Sequence, residues 1–383
     1  MGEFKKNIGI DASFALGERN GTSEYTNNII KDLSKIDKQN VYTLFPFFTY
    51  IYNPKFKDYK PNLPENFQIF WKNVPKKVID LLWKELKAIR TMYLPRFDVF
   101  HSTTFTIPPE FMYKKLVVTI YDVSFYTHPQ YHLKKNIEHC LISTKEAVKK
   151  ADAVIAISNH TKQDLIKYFD FPENKINVTY LACDEIFFNK ISEIKKNKIT
   201  AKYWINKPYI LHLGSLEPRK NTLGLIKAYH LLPKKVKDEF DLIIAGSKGW
   251  LNSEVYKYLG SHDLGDTVKL IGYAKTEDLP ALYQSAKCFV YPSFYEGFGI
   301  PPLEAMASGC PILVSNTSSL PEVCGDAAVY CNPKDIEEIS KKIALLVSRS
   351  NNDLIKKGKK IAQKFSWLKC AKETLAIYNN LLA

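Results

Sequence analysis

The chain has 383 residues, with 54 Lys or Arg against 40 Asp or Glu and a net charge of +14 at pH 7. That length fits two domains, and a hydrophobic content of 45% is enough for ordinary packed cores. No apolar run approaches the roughly 20 residues that span a bilayer, the seven scattered cysteines form neither a Cys-x-x-Cys pair nor a metal-ligand cluster, and the basic balance favours an anionic partner, though no nucleic-acid motif is present.

In chain order, "NIGIDAS" (Asn7–Ser13) reads as a first strand. It follows the first residue so closely that a cytoplasmic chain with reduced thiols and no secretory leader is expected. A polar loop, "LGERNGTS", leads to a helix from about Glu24. "VPKKVIDLLWKELKAIRTMYLPRF" (Val74–Phe97) places Val78, Leu81, Leu82, Leu86, Ile89 and Tyr93 on one helical face, with Lys76, Lys77, Lys84, Lys87 and Arg90 beside it. It is expected to pack on the first domain, with the inner face of an anionic membrane as its alternative surface. "DVFHSTT", "KLVVTIYDV", "AVIAIS" and "INVTYLA" read as further strands, separated by helical stretches such as His132–Lys150 and His160–Phe169. The charged stretch Asn189–Lys207 is the expected domain boundary. "YILHLGS" (Tyr209–Ser215) then opens a second series, continued by "FDLIIAG", "TVKLIGY", "CFVYPS" and "PILVS", with helices from about Ile336. The rhythm is that of two α/β domains with doubly wound sheets, 1–195 and 206–365, facing each other across a deep cleft. A last helix, 366–383, is long enough to cross back to the first domain.

Ligands of open α/β sheets bind at the carboxyl ends of the strands, and the chemistry-bearing residues of the second series gather there. "YPSFYEGFGIPPLEAMA" reads as strand, loop and helix, with Pro301 and Pro302 at the helix start and Glu304 in its first turn. Gly297 and Gly299 let backbone N–H groups of the Gly297-Phe298-Gly299-Ile300 loop approach a ligand. Glu296 and Glu304 on either side suit the hydroxyls of a sugar or ribose; the structural alternative is a carboxylate complementing a helix dipole. In "LGSLEPRKN" (Leu213–Asn221), Arg219 and Lys220 sit beside a helix start, which suits a diphosphate, or they form a plain surface pair. Gly214, Gly246 and Gly272 end three strands on the same edge, and the backbone at Gly272-Tyr273 is placed to read a nucleobase.

"GSLEPRKN" followed by "FVYPSFYEGFGIPPLEAMASGCPILVSNTSSLPEVCGDAA" resembles the retaining nucleotide-sugar glycosyltransferases of group 1, and most closely their bacterial mannosyltransferase-like branch. The resemblance runs over nearly the whole chain, from "IGIDAS" to "FSWLKCAKETLAIY". It implies two Rossmann-like domains in the glycosyltransferase-B fold, the second binding a nucleoside-diphosphate sugar, with GDP-mannose the best match. It further implies that Arg219 and Lys220 hold the diphosphate, Glu304 the ribose, and Glu296 with the Gly297–Gly299 backbone the transferred sugar. A glycan or lipid-linked acceptor of cell-surface polysaccharide synthesis would meet the first domain. Two places depart from the family pattern. Tyr121 stands where many relatives have His, which leaves Asp122 the better catalytic candidate there, or a strand-end Asp that caps its turn. "NGTSEY" (Asn20–Tyr25) retains Gly21 of Thr-Gly-Ile-Gly-Arg-Tyr but has Ser23 and Glu24 in place of its last Gly and Arg. No cofactor and no metal is expected, because two cations at the diphosphate do a metal's work. The alternatives are a non-catalytic nucleotide-sugar-binding protein and a membrane-associated protein of the same fold.

Overall fold

A computed structural model describes residues 5–15, 20–45, 62–70, 95–104, 106–262 and 264–383. The expected amphipathic helix of Val74–Phe97 lies outside the described residues, except for its last three positions. Two compact units divide the chain: Met1–Leu181 with Trp367–Ala383, and Ala182–Ser366.

In the first unit, β1 (Asn7–Asp11), β2 (Val41–Phe45), β3 (Phe67–Ile69), β4 (Phe97–Ser102), β5 (Tyr113–Ile120), β6 (Ala153–Ala156) and β7 (Ile176–Val178) form one parallel sheet. Its order is β3-β2-β1-β4-β5-β6-β7. Its central strands are apolar on both faces, as a sheet covered on two sides requires. Helices α1 (Gly21–Ile36), α2 (Lys134–Lys150) and α3 (Asn159–Phe169) belong to this unit. α1 starts three residues earlier than Glu24, because Asn20 and Ser23 close a reciprocal cap. The Asn20 side chain accepts the Ser23 N–H and Ser23 Oγ accepts the Asn20 N–H, both at 2.9 Å.

In the second unit, β8 (Tyr209–Leu213), β9 (Asp241–Ala245), β10 (Val268–Gly272), β11 (Cys288–Tyr291), β12 (Ile312–Ser315) and β13 (Ala328–Cys331) form a parallel sheet of order β10-β9-β8-β11-β12-β13. In both units the connection reverses direction beside the first strand, between β1 and β4 and between β8 and β11. Such a switch point at the carboxyl edge is where open α/β sheets bind their ligands. Helices α4 (Glu193–Lys202), α5 (Thr222–His230), α6 (Leu279–Ser285), α7 (Ile300–Ala307), α8 (Ile336–Ser348) and α9 (Asn352–Ala362) are among those of the unit.

The break between the units falls after Leu181, not within 189–207. Residues 182–195, expected with the first domain, pack with the second. α4 lies on α6, the Gln284 amide donates to Asn189 O at 2.7 Å and accepts the Ile191 N–H at 3.0 Å, and Phe187 meets Tyr283 edge to face. The final helix, α10 (Trp367–Leu382), belongs to the first unit. Its stripe of Trp367, Cys370, Ala371, Thr374, Ile377 and Tyr378 is buried where the helix packs on α1 and β4.

Candidate active site

The site begins where the chain leaves β8. Gly214 to Glu217 run into a short 3-10 turn at Pro218–Lys220, and Asn221 then enters the left-handed region with φ of 57° before α5 starts. The Asn221 side chain explains why a residue other than Gly stands there. Its amide donates to Pro292 O at 3.0 Å and to Pro333 O at 2.7 Å. Together with the Phe294 N–H, which donates to Arg219 O at 2.9 Å, these bonds lock the loop after β8 to the loop after β11.

That lock brings four charged side chains together. Glu296 Oε1 accepts from Lys220 Nζ at 2.8 Å, and Oε2 accepts from Lys220 Nζ at 3.1 Å and from Arg219 Nη1 at 3.0 Å. Arg219 Nη1 also donates to Tyr295 O at 2.8 Å, and its Nη2 donates to Glu217 Oε1 at 2.7 Å. Lys220 Nζ donates to the Tyr291 hydroxyl at 2.6 Å. Burial pushes the Glu296 carboxyl up, but Arg219 and Lys220 outweigh it and hold the group at about 2, so it is ionised. Burial and the adjacent guanidinium lower the Lys220 ammonium, with Glu296 opposing them. Tyr291 is pushed well up by burial and by the Glu296 charge, so it remains a neutral phenol.

Beside this cluster the chain turns through Gly297, Phe298 and Gly299 into α7. Gly299 has φ of 109°, and a Cβ there would stand 2.7 Å from Leu320 Cδ2. Ser318 Oγ takes the Glu296 N–H at 2.9 Å, and Ser319 Oγ lies 2.9 Å from both Glu296 O and Phe298 O. Among the described residues, the N–H groups of Gly297, Gly299 and Ile300 donate to no other group of the chain. Orphan amide donors at a helix start, next to two cations, form an anion-binding arrangement.

Glu304 lies one turn further on. It is the fifth residue of α7, not part of the first turn, and it is fully buried, with Oε2 accepting from the Tyr283 hydroxyl at 3.0 Å. Gly214, Gly246 and Gly272 meet as neighbours at the ends of β8, β9 and β10. The Gly246 N–H donates to Gly272 O at 2.8 Å, and a Cβ at Gly246 would fall 1.9 Å from Gly214 O. Tyr273, next along the edge, is 48% exposed.

The first-unit candidates lie at the end of β5 and the start of α1. The Tyr121 hydroxyl donates to Thr103 O at 2.7 Å, and its ring meets Tyr25 edge to face. Asp122 caps its own turn: Oδ1 accepts the Ser124 N–H at 2.9 Å and Ser124 Oγ at 2.7 Å. Gly21 is the first residue of α1, and among the described residues no atom lies within 4 Å of where a Cβ would be.

Several residues of these sites had no separate place in the sequence reading. Glu217 stands two positions before Arg219 in the quoted loop, and that spacing was its only signal. Tyr291 and Tyr283 read as core because they end an apolar strand and line an apolar helix. Asp11 in the first unit is wholly buried. Its carboxylate accepts from the Ser13 N–H at 3.0 Å, from the Ser13 hydroxyl and from Thr104 Oγ1 at 2.6 Å, and its own C=O accepts from Thr103 Oγ1 at 2.5 Å. Burial raises it to about 6 against those bonds.

Comparison with known proteins fits this geometry. The profile "Glycosyl transferases group 1" matches residues 195–361, and "Glycosyltransferase Family 4" matches 21–185. The O-antigen chain mannosyltransferase B of Escherichia coli is 35% identical over 286 residues, 74% of this chain and 74% of that one. The chain belongs to the group 1 glycosyltransferases. Within them it falls in the mannosyltransferase-like branch: the serotype-specific mannosyltransferase WbdA of Escherichia coli is 30% identical over 299 residues, 76% of this chain but only 37% of that protein. This group 1 glycosyltransferase has the glycosyltransferase-B fold, shared with Anabaena HepE in complex with UDP and glucose (TM-score 0.74, 17% identity, 98% of this chain and 100% of that one). Among the described residues no helix is long and apolar enough to cross a membrane.

Proposed function

We propose that this glycosyltransferase moves a mannosyl group from GDP-mannose, with retention of configuration, to a glycan or lipid-linked acceptor of cell-surface polysaccharide. The observation that carries the proposal is the cluster of Arg219, Lys220 and Glu296 beside the orphan N–H groups of Gly297, Gly299 and Ile300. Two cations and neighbouring orphan amides suit a diphosphate leaving group, and their charge-assisted bonds strengthen as charge develops on it. Glu296, released to the sugar, would bind hydroxyls. Glu304 would take the ribose, and the Gly272–Tyr273 edge the base. The acceptor would approach the first unit near Tyr121, Asp122 and Gly21. Mannose is favoured by the similarity to the O-antigen chain mannosyltransferase.

The chemistry assigned to the chain is positioning and charge stabilisation. Bond breaking at the anomeric carbon leaves a diphosphate oxygen on the face the acceptor approaches, and that oxygen takes the acceptor's proton. Because Arg219 and Lys220 carry the leaving-group charge, transfer is expected without a divalent metal. Incubation with GDP-mannose and a mannosyl acceptor in excess chelator, with the product's anomeric configuration read by NMR, tests the proposal. An α-mannoside is expected. A β product, or transfer only on adding metal, would overturn it.

A further inference from the structure

We infer that Glu217 is a positioning residue that orients Arg219 and sets the net charge of the diphosphate site; this rests on the donor-binding reading above. The Glu217, Arg219, Lys220 and Glu296 side chains are only 4, 15, 12 and 7% exposed. Their formal charges cancel, two positive against two negative, so every pair in the cluster acts at close range with little solvent screening. The two carboxylates are not equivalent. Glu296 bridges both cations, while Glu217 bonds only the far edge of Arg219, at Nη2.

The backbone of Glu217 is tied down. Its N–H donates to Ser215 O at 2.8 Å, and its C=O accepts the Lys220 N–H at 3.1 Å, closing the turn that carries both cations. The Glu296 backbone is held too, by Ser318 and Ser319, but its side chain has an alternative partner in the hydroxyls of a bound sugar. When a diphosphate takes the cations, Glu296 is the carboxylate that leaves and Glu217 the one that stays. A planar guanidinium gripped at Nη2 by Glu217 and at Nη1 by Tyr295 O has its plane fixed. The retained negative charge also weakens diphosphate binding, which favours product release. Glu217 therefore exchanges ground-state affinity for orientation of the leaving group.

The Glu217→Gln variant preserves shape and an acceptor oxygen and removes one negative charge. Titration with GDP at low and moderate salt, together with kcat and KM for GDP-mannose, tests the inference. The variant is expected to bind GDP at least threefold more tightly, more so at low salt, while kcat falls at least fivefold. Glu217→Asp is expected to restore part of kcat and return GDP affinity towards wild type. Unchanged or weaker GDP binding in Glu217→Gln overturns the inference, as does a parallel loss of affinity and kcat that follows a lowered Tm and is not recovered by Glu217→Asp. Wild-type protein that binds no GDP would instead overturn the donor-binding reading on which the inference stands.

Discussion

Glu296 and Asp11 are both buried carboxylates, and their surroundings push them in opposite directions. Glu296 is held at about 2, below its ordinary 4.5, by two cations that outweigh burial. The stability it brings is complete above about pH 4.5 and is lost as pH falls towards 2. Asp11 is raised by burial from 3.8 to about 6. Its protonated form is favoured in the folded chain, so its contribution is complete below about pH 3.8 and is lost as pH rises through 6. Asp11→Asn should therefore remove a decline on the order of 3 kcal/mol between those limits. Urea unfolding of wild type and variant at pH 4 and pH 7 measures it, and the same pH dependence in both proteins would contradict the assignment. In the proposed donor site, Glu304 is fully buried against Tyr283, while Glu296 is bonded to the two cations proposed to meet the leaving diphosphate. Glu304→Gln is expected mainly to raise the KM for donor, and Glu296→Gln to lower kcat at least tenfold with a smaller change in KM. Single-turnover kinetics with equilibrium binding separate the two; matching signatures would reject this division.

The elements that position the site depend on close backbone contact. At Gly246 any side chain would drive the ends of β8 and β9 apart, because a Cβ would lie 1.9 Å from Gly214 O. Gly246→Ala is expected to cost roughly 1–3 kcal/mol and to weaken GDP binding along with it, measured by thermal unfolding and titration of one sample. Unaltered stability would show that the loops yield freely. Elements with strong apolar runs, such as β5, β9, β11 and β12, were legible from sequence because parallel strands buried on two faces leave little alternation. The short strands β2 and β3 were not, and α4 was hidden in what reads as a charged linker. Within α4 only Ile199 is buried, so an apolar stripe is nearly absent. Its place is fixed instead by the Ser192 cap and by the Lys202 and Tyr203 bonds to Asp278, at 2.5 and 2.8 Å, pairings 76 and 75 residues apart that no local pattern reveals.

At the scale of the whole molecule, the two units differ in how their sites are written. The second-unit cluster comes from two short loops, Glu217–Lys220 and Tyr291–Glu296, so both were visible as contiguous motifs; that Glu296 closes on the cations was not, because spacing says nothing about which side chains pair across the sheet. In the first unit, buried polar groups come from separate elements. His101 bonds Tyr378 at 2.6 Å and Thr119 at 2.8 Å, Tyr25 reaches Thr119 at 3.0 Å, and Tyr121 reaches Thr103 at 2.7 Å. Burial lowers His101 to about 3, so it stays neutral within that network. Such a network is set by topology, and a substitution like Tyr121 cannot be interpreted without it. The central claim is that the Arg219–Lys220 pair of the second unit binds the donor diphosphate. Calorimetric titration of GDP, in chelator, into wild type and the Arg219→Ala/Lys220→Ala double variant tests it most directly. Each lost charge-assisted contact costs roughly 1.5–3 kcal/mol, so the account predicts saturable binding by wild type and an affinity at least a hundredfold weaker in a variant that still unfolds cooperatively. Equal affinity in the two proteins would contradict it.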